Sequence, residues 1–95
     1  MKKLVNISTP SAFSPNGDGI NDLFRIGHFN LSQFSIQIFN RWGQMVFESN
    51  NPDFEWNGRT IKGNMVHEGV YVYKLRATDF DGNTIEESRS VTVIK

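Results

Sequence analysis

The sequence predicts an all-β fold, an antiparallel β-sandwich of immunoglobulin or fibronectin type with about seven strands. Three observations predict it. Apolar residues recur with period two along the chain, no eleven-residue window carries a sustained helical stripe, and turn signals separate the apolar runs. All 95 residues form one domain, since a chain of this length has no room for a second core.

The elements follow in order. Residues 1–9 contain the first strand. Residues 23–27 (LFRIG) are aromatic or β-branched and too short for a helix. In residues 33–41 (QFSIQIFNR), Phe34, Ile36 and Ile38 face one way, and Ser35 and Gln37 the other. Arg41-Trp42-Gly43-Gln44 then divides two apolar runs, with Gly43 able to take the positive φ of a tight hairpin. Residues 50–53 (NNPD) and 59–64 (RTIKGN) read as loops, with Trp56 in a short strand between them. Residues 70–79 alternate Tyr71, Tyr73, Leu75 and Ala77 against Val70, Val72, Lys74 and Arg76. Asp81-Gly82-Asn83 is a strong hairpin signal, and residues 90–95 (SVTVIK) supply the last strand.

Composition narrows the function classes. Apolar residues make up only 38%, but eight Phe, two Trp and two Tyr raise the aromatic share to 13%. Each buried aromatic removes about 150–250 Å² from water, so a few rings can build the core. Ten basic residues balance ten acidic ones, leaving no basic stripe for a phosphate backbone and no expectation of nucleic-acid binding. No apolar run is long enough to span a bilayer. Met1-Lys2-Lys3 is basic, but the polar residues after it do not form a signal peptide. With no cysteine, disulfides, thiol catalysis and Cys-based zinc sites are excluded.

Catalysis has no residues to rest on. His28 and His67 lack the spacing to a second ligand or a nucleophile, and both read as loop or strand-end residues. Glu86 and Glu87 are adjacent, so on a strand they face opposite sides and form no carboxylate pair. Residues 15–22 (PNGDGIND) allow two readings. One is an Asx-turn loop closed by its own hydrogen bonds. The other is a calcium site in which Asn16, Asp18, Asn21 and Asp22 supply oxygens. The spacing is not that of an EF-hand, because Ile20 stands where a ligand is needed. Asp79 to Asn83 also carries carboxylates two apart, but a hairpin turn accounts for all five residues. Trp42 and Trp56 read as core residues, with a sugar-stacking platform as the alternative.

Residues 11–24 (SAFSPNGDGINDLF), 36–47 (IQIFNRWGQMVF), Trp56-Asn57-Gly58 and 69–73 (GVYVY) occur in an order and spacing that resemble one family. It is the gliding motility-associated C-terminal domain, the type B sorting domain of the type IX secretion system of Bacteroidota. The resemblance runs from about Pro10 to Lys95. It implies a domain at the end of a large adhesin or secreted enzyme. In such proteins a separate signal peptide reaches the periplasm, and the outer-membrane export machine then recognises the domain together with a PorP/SprF-like protein. It further implies a final location at the cell surface or outside the cell, and a domain cut from a longer protein with an added Met1. Two departures stand out. The family usually has Pro shortly before GxYxY, where this chain has Val66-His67-Glu68, and it tends to end in Arg, where this chain ends in Lys95. Lys keeps the charge but loses the planar fork.

The expected function is therefore a folded, non-enzymatic sorting signal, monomeric as an isolated domain and read by protein–protein contact. Arg41, Arg59, Val91, Val93 and Lys95 are the candidate contacts. The terminal strand 90–95, as an edge for strand addition, and the loop 15–22 are the expected recognition surfaces, and calcium is the only expected cofactor. The alternatives are a carbohydrate-binding module and a structural spacer.

Overall fold

The computed structural model describes residues 6–15, 17 and 22–94. Among them are β1 (Asn6–Ser8), β2 (Ala12–Phe13), β3 (Gly27–Phe29), β4 (Leu31–Phe39), β5 (Met45–Ser49), β6 (Gly69–Asp79) and β7 (Thr84–Val93), with no helix. One sheet has the order β2-β7-β6-β4-β5, and β1 pairs with β3 in a second. The predicted sandwich of about seven strands is the fold observed.

The central strands show why the period-two pattern was readable. On β6, Tyr71, Tyr73, Leu75 and Ala77 are buried while Val70, Val72, Lys74 and Arg76 stand in solvent. On β4, Phe34, Ile36 and Ile38 are buried in register with Ala77, Leu75 and Tyr73 of β6. A sheet with one wet face forces this alternation.

Three local expectations change. Phe24 does not begin a strand. Its backbone exchanges hydrogen bonds with Trp56 (2.8 and 3.0 Å) in a single bridge, and strand β3 starts at Gly27. The last strand starts at Thr84 rather than Ser90, because the turn after Asp79 sends the chain straight back along β6. Its early half looked unlike a strand because it carries charge. Glu86 pairs with Arg76 on the wet face, and Glu87 pairs with Arg89 on the other. Finally, β2 runs parallel to β7, although every other pairing is antiparallel. The chain leaves β1 through Pro10 and meets the far edge of the larger sheet. There the Thr92 and Ile94 amides donate to the Ser11 and Phe13 carbonyls, both at 2.9 Å.

The core lies between the large sheet and the segments opposite it. Trp56 is buried at its centre, with ring centroids 5.4 Å from Phe13, 6.5 Å from Phe24, 6.1 Å from Phe47 and 5.8 Å from Tyr71. Its indole N–H donates to the Arg59 carbonyl at 2.8 Å, so the ring's one polar atom is satisfied inside the protein. Tyr71 directs its hydroxyl to the His67 carbonyl at 2.7 Å. Among the described residues, none partners the hydroxyl of the fully buried Tyr73. Trp42 overturns the core reading. It is 70% exposed, because it sits at the tip of the β4–β5 turn beyond the end of the sheet.

Trp56→Ala should cost about 3–5 kcal/mol in urea unfolding, whereas Trp42→Ala should cost under about 0.5 kcal/mol; equal losses would place both rings in the core. Burial pushes the Tyr71 hydroxyl above its ordinary value of 10.0, and the nearby Arg41 guanidinium pulls it partly back. A raised folded-state value favours the protonated phenol. Its stabilising contribution is thus complete below the unfolded value and lost as pH rises through the folded one. Tyr71→Phe should cost about 0.5–1.5 kcal/mol near neutral pH. The gap to wild type should stay constant up to about pH 9 and narrow as pH rises through 10.0 and above, and a gap independent of pH would contradict the assignment.

Candidate functional site

Three turns share one plan. In 40–44 (NRWGQ), 60–64 (TIKGN) and 79–83 (DFDGN), the first residue's amide donates to the fifth residue's carbonyl (2.9, 2.7 and 2.9 Å). The fourth residue is a glycine with positive φ (+81, +92 and +86°), whose amide donates to the first carbonyl (3.0, 2.8 and 3.1 Å). A side-chain oxygen of the first residue then takes the fifth residue's amide. Asn40 Oδ1 accepts from Gln44 N at 3.0 Å, Thr60 Oγ1 from Asn64 N at 3.2 Å, and Asp79 Oδ1 from Asn83 N at 2.9 Å. Short polar side chains are suited to this because they reach their own backbone a few residues on, and glycine supplies the left-handed position.

The plan leaves the side chains of the second and third residues of each turn exposed, although the Trp42 and Asp81 amides still donate to Asn40 Oδ1 and Asp79 Oδ1, both at 2.9 Å. Trp42, Ile61 and Phe80 occupy those positions and are 70%, 65% and 71% exposed, more than any other large apolar side chain among the described residues. Their common cause is visible in sequence as three xxxGx turns, and of the three tips only Trp42 reads as core from sequence, Ile61 falling in a predicted loop and Phe80 in a predicted hairpin turn.

Two of these turns flank a groove of about 390 Å³ at one end of the molecule. Asn40, Arg41 and Trp42 line one side of it, and Thr60 and residues 65–69 line it as well, together with the buried side chains of Val46 and Tyr71. The Arg41 guanidinium lies over the Trp42 ring, 4.3 Å from its centroid. That is a cation–π contact between the two residue types most enriched at binding hot spots. Among the described residues, Arg41, Lys62 and Glu68 take part in no ion pair.

The other predicted residues separate. Arg59 is exposed next to the 60–64 turn, with Nη1 donating to the Gly63 carbonyl at 3.1 Å. Val91 and Val93 are buried, with 0% and 1% exposure, so their side chains belong to the core and Thr92 and Ile94 are what β7 presents outward. The edge beside them is occupied by β2, which already takes the Thr92 and Ile94 amides. Lys95 lies outside the described residues, as do Asn16, Asp18 and Asn21 of the predicted calcium loop. Asp22, the remaining member, accepts the Gly17 amide on Oδ1 at 2.9 Å, a bond reaching five residues back along the chain.

At the second acidic loop, Asp79 is buried and its carboxylate caps its own turn. Oδ1 accepts from the amides of Asp81 and Asn83, both at 2.9 Å, and Oδ2 from the Asn83 side chain at 3.1 Å. His28 sits in β3 with Nε2 at 2.7 Å from Asp53 Oδ1, tying the 50–54 loop to the smaller sheet.

The comparisons with known proteins agree with this architecture. In structure, the chain is similar to CopC from Methylosinus trichosporium OB3b, with a TM-score of 0.54 and 25% identity, over 95% of this chain and 90% of that one. It also shares its fold with part of PorZ, described as an essential bacterial surface component of the type IX secretion system of Porphyromonas gingivalis. There the TM-score is 0.53 at 21% identity, over 96% of this chain but only 11% of PorZ. No curated protein sequence matches. The model of the CHU_C type IX secretion signal domain matches residues 7–93, from β1 to the end of β7. With nearly its whole length matched, the chain belongs to the type IX secretion signal domain family, which is not a family of enzymes and marks its proteins for export to the cell surface or beyond.

Proposed function

We propose that this domain is a sorting signal that the type IX export machinery recognises as a folded surface, with a PorP/SprF-like outer-membrane protein as its reader. One observation carries this reading. The family match extends over residues 7–93, so what relatives have in common is a complete fold rather than a short linear tag. Arg41, which lines the groove, and Arg59, exposed next to the 60–64 turn, are the contacts this reading favours. On the outer face of β7, the buried Val91 and Val93 hold Thr92 and Ile94 outward, so a partner packing there would meet those two side chains, with Lys95 next in the sequence. The route is passage through the periplasm and outer membrane to the surface.

A carbohydrate-binding role draws on the exposure of Trp42, the kind of ring that stacks on a sugar. Arg41 already covers one face of that ring, which leaves a narrower platform than a sugar site normally offers. Soluble glycans that shift tryptophan fluorescence would favour that role.

The deciding experiment is export of a fluorescent reporter carrying a periplasmic signal peptide and residues 1–95 at its C-terminus. It is expressed with and without a working type IX machine, and with and without the PorP/SprF-like protein. The reporter should reach the surface or medium only when both are present, and retention in the periplasm with both present would defeat the reading. The same protein tests the calcium loop of Asn16, Asp18, Asn21 and Asp22. Calcium should raise the unfolding temperature relative to a chelator, and identical melting curves would leave the loop as an Asx turn alone.

A further inference from the structure

The 40–44 turn lifts Trp42 into solvent on the lining of the groove with Arg41 beside it, and the 60–64 turn, whose Thr60 lines the same groove, carries the exposed Ile61 and Lys62 as its next two residues. Arg59 adds a third positive charge next to the second turn, against a single carboxylate, Glu68, lining the groove. None of Arg41, Arg59 and Lys62 forms an ion pair among the described residues. The third turn, which connects the far ends of β6 and β7, has the opposite character, with Phe80 next to Asp81. The Trp42 side chain contributes no buried surface to the core, so folding does not account for a tryptophan at that tip.

We propose that this groove docks an acidic, extended segment of the protein that reads the domain, anchored by one apolar side chain. The assignment rests on the sorting reading above and names the chemistry of the reader. The anchor seats between Trp42 and the residues lining the opposite side, Met65 and Val66, in a volume suited to one large side chain. Carboxylates flanking it meet Arg41 within the groove and Lys62 past Thr60. A planar guanidinium held over an indole is already ordered, so it loses little further freedom when it takes a carboxylate. Charge complementarity of this kind sets partner choice and association rate more than raw affinity.

The test uses the 15N-labelled chain and two synthetic probes, acetyl-Asp-Glu-Phe-Glu-Asp-amide and acetyl-Lys-Lys-Phe-Lys-Lys-amide. The acidic peptide should shift the Trp42 indole resonance and the amides of Arg41, Lys62 and Val66 while leaving those around Phe80 in place. The basic peptide should bind at least tenfold more weakly. Equal binding of the two peptides, shifts centred on Phe80, or no shifts at all would overturn the assignment. Arg41→Glu combined with Lys62→Glu should abolish the difference between the peptides and reduce reporter export, with urea unfolding unchanged. Full export of that double variant alongside exported wild type removes the groove as the docking surface and leaves the sorting reading intact. Acidic-peptide binding at the groove with no export of the wild-type reporter removes the sorting reading and leaves the groove chemistry standing.

Discussion

The packing of Trp56 against the large sheet is the contact on which the remaining structure depends. Opposite that sheet, regular structure is sparse: β1 and β3 are short, and the rest is single bridges and turns. A two-stranded sheet is barely stable by itself in water. The second layer is held instead by aromatic side chains. Trp56 meets Phe13 of β2, Phe47 of β5, Tyr71 of β6 and Phe24 of the opposite layer. Phe54, two residues earlier, stacks on Phe34 of β4 with an interplanar angle of 13°. One loop thereby reaches strands at both edges and in the middle of the sheet. This explains how a chain with only 38% apolar residues folds without disulfides.

That loop also has to be rigid, because a ring delivered from a floppy segment would lose much of its burial energy to ordering. Its own polar residues provide the rigidity. The Asn51 side chain takes the Asp53 amide, the Asn57 side chain takes the Arg59 amide, and the Trp56 indole closes onto the Arg59 carbonyl. The Val66 amide then returns to the Gly58 carbonyl and fixes the approach to β6. Residues 60–64 form the tip of this closed structure, so the position of the second turn follows from the same contacts that seat Trp56. The two turns flanking the groove are therefore placed by the core, although neither tip is part of it.

The alternating strands β4 and β6 were legible in the sequence because they are central and have one dry face. Every second residue there must be apolar. The half of β7 before Val91 was not legible, because β2 pairs only with Thr92 and Val93 and leaves this half at an open edge, where the inward positions Glu87 and Arg89 pair with each other rather than entering the core. Inward charges of this sort discourage edge-to-edge association, and the same feature hides a strand from a hydrophobicity pattern. The parallel β2 was invisible for a different reason. Two residues carry no periodicity, and nothing local says that a chain will cross from one sheet to the other. Trp42 was misread through composition alone. A tryptophan is usually buried, but the Asn40 and Gly43 on either side of Arg41-Trp42 already specify a turn that projects it away from the sheet.

A signal of this construction cannot be separated from the fold that carries it. One flank of the groove comes from the hairpin between β4 and β5, the other from the loop that delivers Trp56, and residues lying between them in sequence run through the core. No contiguous peptide contains both flanks in their correct relation. Loss of the Trp56 contacts would let the 60–64 turn drift from the 40–44 turn even if both kept their internal hydrogen bonds. Recognition of the assembled groove is for that reason also a reading of whether the aromatic core has formed. The exposed Trp42 and Arg41 can report on it because their own contribution to stability is small.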